Sequence, residues 1–324
     1  MAFHSGHLTR EQVDQFHRDG YLVVPDFFDA APLLAHAKEV VSSVDLSTHP
    51  RTKFSTGGDD GEEHVGDRYF LESGSHIRHF FEQDAIDAEG KLTVPLDRAV
   101  NKVGHNLHGL DPVFRDFSFA DNVKNVARSL DVHRDPRVLQ AMIIVKAQEI
   151  GGAVPCHNDS TFLYTDPPSA IGFWFALEDC TRKNGCLSFL PGSHRWPKGS
   201  HKEATDKRPR DPFADELGRA RGVNKRFVRK VPNDPDQGTT FETLATDEEA
   251  EWNEQEARME ECSAGTLVLI HGSVLHKSEK NTSPKSRYIY TYHMIEGDGE
   301  LATYDEKNWL QTVDQSPFPS LYQG

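Results

Sequence analysis

The spacing of apolar and polar residues divides the chain into two textures. In LTREQVDQFHRDG the apolar positions recur at helical spacing, Thr9 and Gln12 form a capping box, and Gly20 is a natural stop, so a helix is expected. YLVVPDFF follows as a short strand ended by Pro25, and a second helix is expected from about Pro32, in PLLAHAKEVVSSV. DPVFRDFSFADNVKNVARSLDV reads as another amphipathic helix, and residues 52–66 read as an exposed polar loop. From about residue 138 the pattern changes to short β-rich runs: VLQAMIIVKAQ, AIGFWFALEDC, GCLSFLPGS, GTLVLIHGSVLH and RYIYTYHMIE, punctuated by Gly, Pro and Asn. That texture predicts an antiparallel sandwich or jelly roll. RYIYTYHMI alternates, with Arg287, Ile289, Thr291 and His293 on one face and Tyr288, Tyr290, Tyr292 and Met294 on the other. Residues 197–260 are highly charged with little strand signal. They are expected to be an insertion between strands of one domain spanning 1–324, with N-terminal helices over about 9–130.

Charge narrows the partners. The 324 residues carry a net charge of −15, which disfavours general binding to nucleic acid or to an anionic membrane. No run approaches the ~18 apolar residues of a membrane span, and MAFHSGHLTREQ lacks an apolar signal core. The four cysteines form no CxxC pair and suit a reducing compartment, so a cytoplasmic monomer acting on a small molecule is expected. On that reading the Asn281-Thr282-Ser283 sequon is a chance match. The charge is also unevenly placed. Residues 195–230 hold twelve Lys or Arg against five Asp or Glu, whereas residues 233–261 hold eleven acids against one Arg. The basic block, which includes Lys225, Arg226, Arg229 and Lys230, either pairs loosely with the acidic one or forms a lid that attracts an anionic substrate.

Candidate chemistry centres on PCHNDSTFLYT. In an extended segment His157 and Asp159 point to the same face and could share one metal ion. LIHGSVLHKS offers His271 and His276 as a third ligand. Two imidazoles and one carboxylate suit Fe(II) and leave three positions open, two for a keto-acid and one for O2; a zinc site is the competing reading. Arg287 follows His276 by eleven residues, and a guanidinium pointing into a barrel would need a dicarboxylate partner. Taken singly, Trp174 reads as core, Lys102 and Met142 carry no signal, and Cys156 reads as buried packing. His105 and His108 form a possible second metal pair.

HND, NGCLSFLPGSH and HKSEKNTSPKSR, in this order, resemble the phytanoyl-CoA dioxygenase family of Fe(II)/2-oxoglutarate oxygenases. YFLESGSHIRHFFE, NKVGHNLHGLDPVF, STFLYTDP, GTLVLIHGSVLHKS, YTYHMIEG and NWLQ extend the resemblance over nearly the whole chain. The resemblance implies a mainly β fold with flanking helices, a double-stranded β-helix or jelly roll. It implies that His157, Asp159 and His276 hold iron, with His276 preferred to His271 because it opens the H-x-S-x-x-N-x-S-x-x-x-R pattern. It implies further that Arg287 binds the distal carboxylate of 2-oxoglutarate, that Ser278 assists, and that Lys102, Met142 and Trp174 line the co-substrate pocket. The implied reaction couples O2 and 2-oxoglutarate decarboxylation, giving succinate, to hydroxylation of an unactivated C–H, possibly on an anionic molecule such as an acyl-CoA. Asn158 departs from the Gln usual between the ligands, and the charged insertion leaves the substrate open. A halogenase is disfavoured by the presence of Asp159, and a zinc hydrolase by Arg287. A non-catalytic metal-binding protein of the same fold is the alternative.

Overall fold

The computed structural model describes residues 5–50, 68–87, 89–195, 225–232, 234–244, 250–312 and 316–323. The helix Arg10–Asp19 starts where expected: Thr9 Oγ1 accepts the Gln12 amide at 3.2 Å, and Gln12 Oε1 accepts the Thr9 amide at 2.9 Å. Gly20 ends it in the left-handed region, at φ 83°. The helix Ala30–Ser42 begins earlier than Pro32, because Asp29 caps it by accepting the Ala31 amide. The single helix expected near residues 111–132 is two, Pro112–Ser118 and Asp121–Leu130. Asp111 caps the first, and Ala120 is extended at φ −65°, ψ 152°, which breaks the run. The loop expected at 52–66 lies outside the described residues.

The strands are β1 (Tyr21–Val24), β2 (Ile77–Phe81), β3 (Val100–His105), β4 (Pro136–Lys146), β5 (Val154–His157), β6 (Thr165–Asp166), β7 (Ile171–Ala176), β8 (Leu187–Phe189), β9 (Lys225–Arg229), β10 (Thr239–Thr243), β11 (Arg258–Glu260), β12 (Leu267–His271), β13 (His276–Ser278), β14 (Arg287–Glu296) and β15 (Thr303–Tyr304). Seven of them form one sheet in the order β1-β12-β7-β14-β4-β3-β2, and four form a smaller sheet in the order β11-β8-β13-β5. The two sheets make the jelly roll. The stretch read as N-terminal helices therefore also supplies three strands of the large sheet. The charged stretch supplies β11 and a β9–β10 hairpin.

The two faces of the large sheet do different things. On one, Phe173, Phe175, Tyr290 and Tyr292 pack with Phe27, Phe114 and the flanking helices into the main core. Each such large side chain contributes ~1.5–3 kcal/mol on burial. On the other, Tyr21, Trp174, Val268, Ile270 and Ile289 meet Leu187 and Phe189 of the small sheet. Tyr21 stacks on Phe189 with centroids 4.1 Å apart, closing the roll at one end. Both faces of β14 are buried, and its alternation sends Arg287 and His293 into the roll and the tyrosines toward the helices.

Candidate active site

The inner face brings the sequence-predicted residues together. Arg287 pairs in register with Lys146, Thr291 with both Met142 and Trp174, and Ile144 with Lys102. Cross-strand partners share a face, as do residues two apart, so Lys102, Met142, Trp174 and Arg287 all point into the roll. His276 and Ser278 face them from β13 of the small sheet.

His157 and His276 are themselves register partners across β5 and β13, with ring centroids 4.3 Å apart. Asp159 does not sit on the strand, contrary to the expectation of an extended segment through it. β5 ends at His157, and Asp159 opens a helical turn, Asp159–Thr161. Asn158 builds that turn: its Oδ1 accepts the Thr161 amide at 2.9 Å and the Thr161 hydroxyl at 3.0 Å. Asn158 thus holds Asp159 in place with its own side chain turned to the backbone.

Asp159 Oδ1 lies 3.6 Å from His157 Nε2 and 3.7 Å from His276 Nε2. One donor atom from each of the three residues lies within 4.8 Å of the others. The other nitrogen of each ring faces a carbonyl: His157 Nδ1 is 2.9 Å from Pro155 O, and His276 Nδ1 is 3.1 Å from Val274 O. With Nδ1–H donated to those carbonyls, Nε2 is left as an unprotonated ligand. Burial pushes His276 down to about 4, which favours the neutral, ligating form. Burial would lower His157 as well, but its contact with Asp159 carries it above its ordinary value. Burial works against the Asp159 carboxylate, yet the surrounding imidazoles hold its pKa well below the usual range. The site opens on the His157 side: that side chain is 25% exposed, against 6% for His276. Two imidazole nitrogens and a carboxylate oxygen on one open face fit Fe(II).

His271 is elsewhere. Its Nδ1 accepts the Ser273 amide at 3.1 Å, and its ring lies 4.7 Å from that of His194. His105 and His108 belong to no metal-type cluster of three or more groups among the described residues, where only His157, Asp159 and His276 make one. His105 Nδ1 is 2.6 Å from Ser73 Oγ. Cys156 is exposed, contrary to expectation, because alternation along β5 turns it away from His157's face. Asn281 is fully buried, with its amide donating to Lys146 O and Lys285 O, so in the folded chain the sequon is inaccessible.

Arg287 is 2% exposed. Among the described residues its guanidinium donates to Gly185 O and has no carboxylate within ion-pair distance; Nε is buried without a partner. It stands 5.7 Å from the Trp174 ring, and burial lowers its pKa. Lys146 beside it is satisfied by carbonyls, donating to Gly152 O and, at 2.8 Å, to Glu279 O. Burial holds the Lys102 amine well below its usual range; that amine lies 5.4 Å from the Phe70 ring and 5.3 Å from the Phe80 ring. Gly185, whose carbonyl meets Arg287, has φ +81°, and a Cβ there would sit 2.3 Å from Glu279 O. Gly185→Ala is therefore expected to cost more than about 1 kcal/mol in urea unfolding, since both the backbone region and the space exclude a side chain.

Sequence reasoning missed His293. Its Nε2 lies 3.2 Å from Asp159 Oδ2. The signal was present, because the alternation of β14 puts His293 on the Arg287 face.

The β9–β10 hairpin leans on this end of the roll. Phe227 packs 5.6 Å from Phe162, which packs 6.1 Å from His157. Arg226 pairs with Glu242 at 2.8 Å and Asp305 at 2.6 Å, and Arg229 donates to Trp309 O. Residues 196–224, most of the basic block, lie outside the described residues.

Comparison with known proteins places the chain in a family. A phytanoyl-CoA dioxygenase domain-containing protein 1 homolog from Caenorhabditis elegans is 38% identical over 96% of this chain and 98% of that protein. Phytanoyl-CoA dioxygenase domain-containing protein 1 from Mus musculus is 39% identical over 97% and 99%. In fold, the chain is similar to the non-heme alpha ketoglutarate dependent carbocyclase SnoK from nogalamycin biosynthesis, with TM-score 0.58 and 16% identity over 99% of this chain and 96% of that one. It is also similar to EctD from S. alaskensis with bound Fe, with TM-score 0.52 and 16% identity over 89% and 77%. The phytanoyl-CoA dioxygenase (PhyH) family profile matches residues 16–289, and the chain belongs to that family of Fe(II)- and 2-oxoglutarate-dependent dioxygenases.

Proposed function

We propose that the chain hydroxylates an unactivated C–H of a small molecule, using Fe(II) held by His157, Asp159 and His276 and 2-oxoglutarate anchored by Arg287. The balance is R–H + 2-oxoglutarate + O2 → R–OH + succinate + CO2. The observation that carries this reading is Arg287: a buried guanidinium on the same inner strand face as His293, which meets Asp159, and without a carboxylate among the described residues. An uncompensated buried charge is costly, and a dicarboxylate co-substrate removes the cost through a bidentate pair.

Bound iron supplies the activation of O2; the chain's residues supply the rest. The carbonyls of Pro155 and Val274 keep Nε2 of both imidazoles turned to the metal. Arg287 takes the distal carboxylate, with Ser278 assisting it. Lys102, Met142 and Trp174 line the space between the sheets and exclude water there. The test is anaerobic loading with Fe(II) and 2-oxoglutarate, then O2. Succinate should form, faster with the true substrate, and Asp159→Ala should abolish it. Succinate formation unchanged in that variant would refute the reading.

The substrate is proposed to be anionic, such as an acyl-CoA. The support is the basic block, which leads into a hairpin packed beside Phe162 and His157. Arg226 and Arg229 brace the hairpin, so neutralising them tests its fold and not steering. Lys225 and Lys230 are exposed. Replacing both with Gln is expected to flatten the fall of turnover with added salt at low concentrations of an anionic substrate. An unchanged salt slope would count against an anionic substrate.

A further inference from the structure

Asp159 presents its two oxygens to different groups. Oδ1 faces the Nε2 atoms of His157 and His276. Oδ2 is buried without a hydrogen bond of good geometry, and His293 Nε2 lies 3.2 Å from it. Behind His293, its register partner Gln140 on β4 places an amide nitrogen 3.4 Å from Nδ1. In front, its partner on β7 is Gly172. A Cβ on Gly172 would lie 3.4 Å from both Asp159 Oδ2 and His293 Cδ2, and 3.3 Å from Ile270 Cβ, so the carboxylate and the ring are seated over a residue with no side chain. β7, β14 and β4 thus converge on one carboxylate oxygen.

We propose that His293 is a positioning residue for the metal site: it donates Nε2–H to Asp159 Oδ2 and leaves Oδ1 alone to bind metal. Gln140 donates to Nδ1, which keeps the proton on Nε2. The coordination count gives the reason. Two imidazoles and a one-oxygen carboxylate leave three of six positions open; a carboxylate bound through both oxygens would leave two. This inference rests on the reading of His157, Asp159 and His276 as the metal ligands.

The test is binding of Co(II), a spectroscopic stand-in for Fe(II), to the full chain. His293→Leu and His293→Gln both fill the space, but only Gln places an N–H donor near the Nε2 position. H293L is expected to bind Co(II) about 10–100-fold more weakly, with an altered visible absorption spectrum. H293Q should restore most of the affinity and the spectrum. Wild-type affinity and spectrum in H293L would overturn the proposal. So would equal impairment of H293L and H293Q, since that would mark a packing role. His276→Ala separates the two claims. If H276A binds Co(II) as tightly as wild type, the ligand assignment itself fails. If H276A is impaired and H293L is not, only the role of His293 falls.

Discussion

Arg287→Lys is expected to raise the 2-oxoglutarate concentration for half-maximal succinate formation by roughly 10–100-fold, with little loss of folding stability. The size follows from losing one of two charge-assisted hydrogen bonds in a dry site, at about 1.5–3 kcal/mol. An ammonium in place of the guanidinium keeps the charge but not the planar fork that meets a carboxylate through two parallel bonds. The site makes the difference large. Arg287 is fixed from behind by Gly185 O and flanked by Trp174, so a Lys amine starts from a position shaped for a longer, flatter group. The measurement is steady-state succinate formation across a 2-oxoglutarate series. An unchanged half-saturation value in Arg287→Lys would remove Arg287 from the co-substrate site.

His276→Ala is expected to lower succinate formation by more than about 100-fold, while His271→Ala leaves it near wild type. A first ligand is worth at least as much as the outer partners that orient ligands, whose loss costs about 10–100-fold. His276 stands opposite His157 in register with its Nε2 toward Asp159 Oδ1. His271 spends its Nδ1 on the Ser273 amide; removing it leaves a buried donor unpaired and should cost about 1–3 kcal/mol of stability without touching metal binding. Thermal melting of the metal-free variants separates the two effects. The reverse result, activity lost in His271→Ala and kept in His276→Ala, would exchange the assignments.

Much of this was legible from local pattern. The Thr9–Gln12 box and Gly20 bound a helix because capping is chemistry within four residues of chain. The strand Arg287–Glu296 could be read in full because burial on both sheet faces still leaves a period of two between guanidinium and imidazole on one side and phenols on the other. The pairing of His157 with His276 was not local. It depends on β13 lying between β8 and β5, and the family pattern, not periodicity, chose His276 over His271. The turn at Asp159 is not visible in the period-two pattern, because it depends on the Asn158 side chain capping Thr161. The break at Ala120 was missed because both flanking helices are amphipathic and continuous in pattern. β9 and β11 escape the reading because charged residues dominate KRFVR and RME, and β10, TTFET, because it lies inside the same highly charged stretch. Arg226 is held there by Glu242 and Asp305, ion pairs that only the folded hairpin and the distant segment near residue 305 bring together.

The most direct test of the account is anaerobic equilibrium titration of the full chain with Fe(II), and then with 2-oxoglutarate in the presence and absence of the metal. One Fe(II) per chain is predicted. Tight 2-oxoglutarate binding should require the metal and be lost in Asp159→Ala, because the co-substrate is held at one end by the ion and at the other by Arg287. Binding of 2-oxoglutarate that is equally tight without metal, or Fe(II) binding that survives intact in Asp159→Ala, would contradict it.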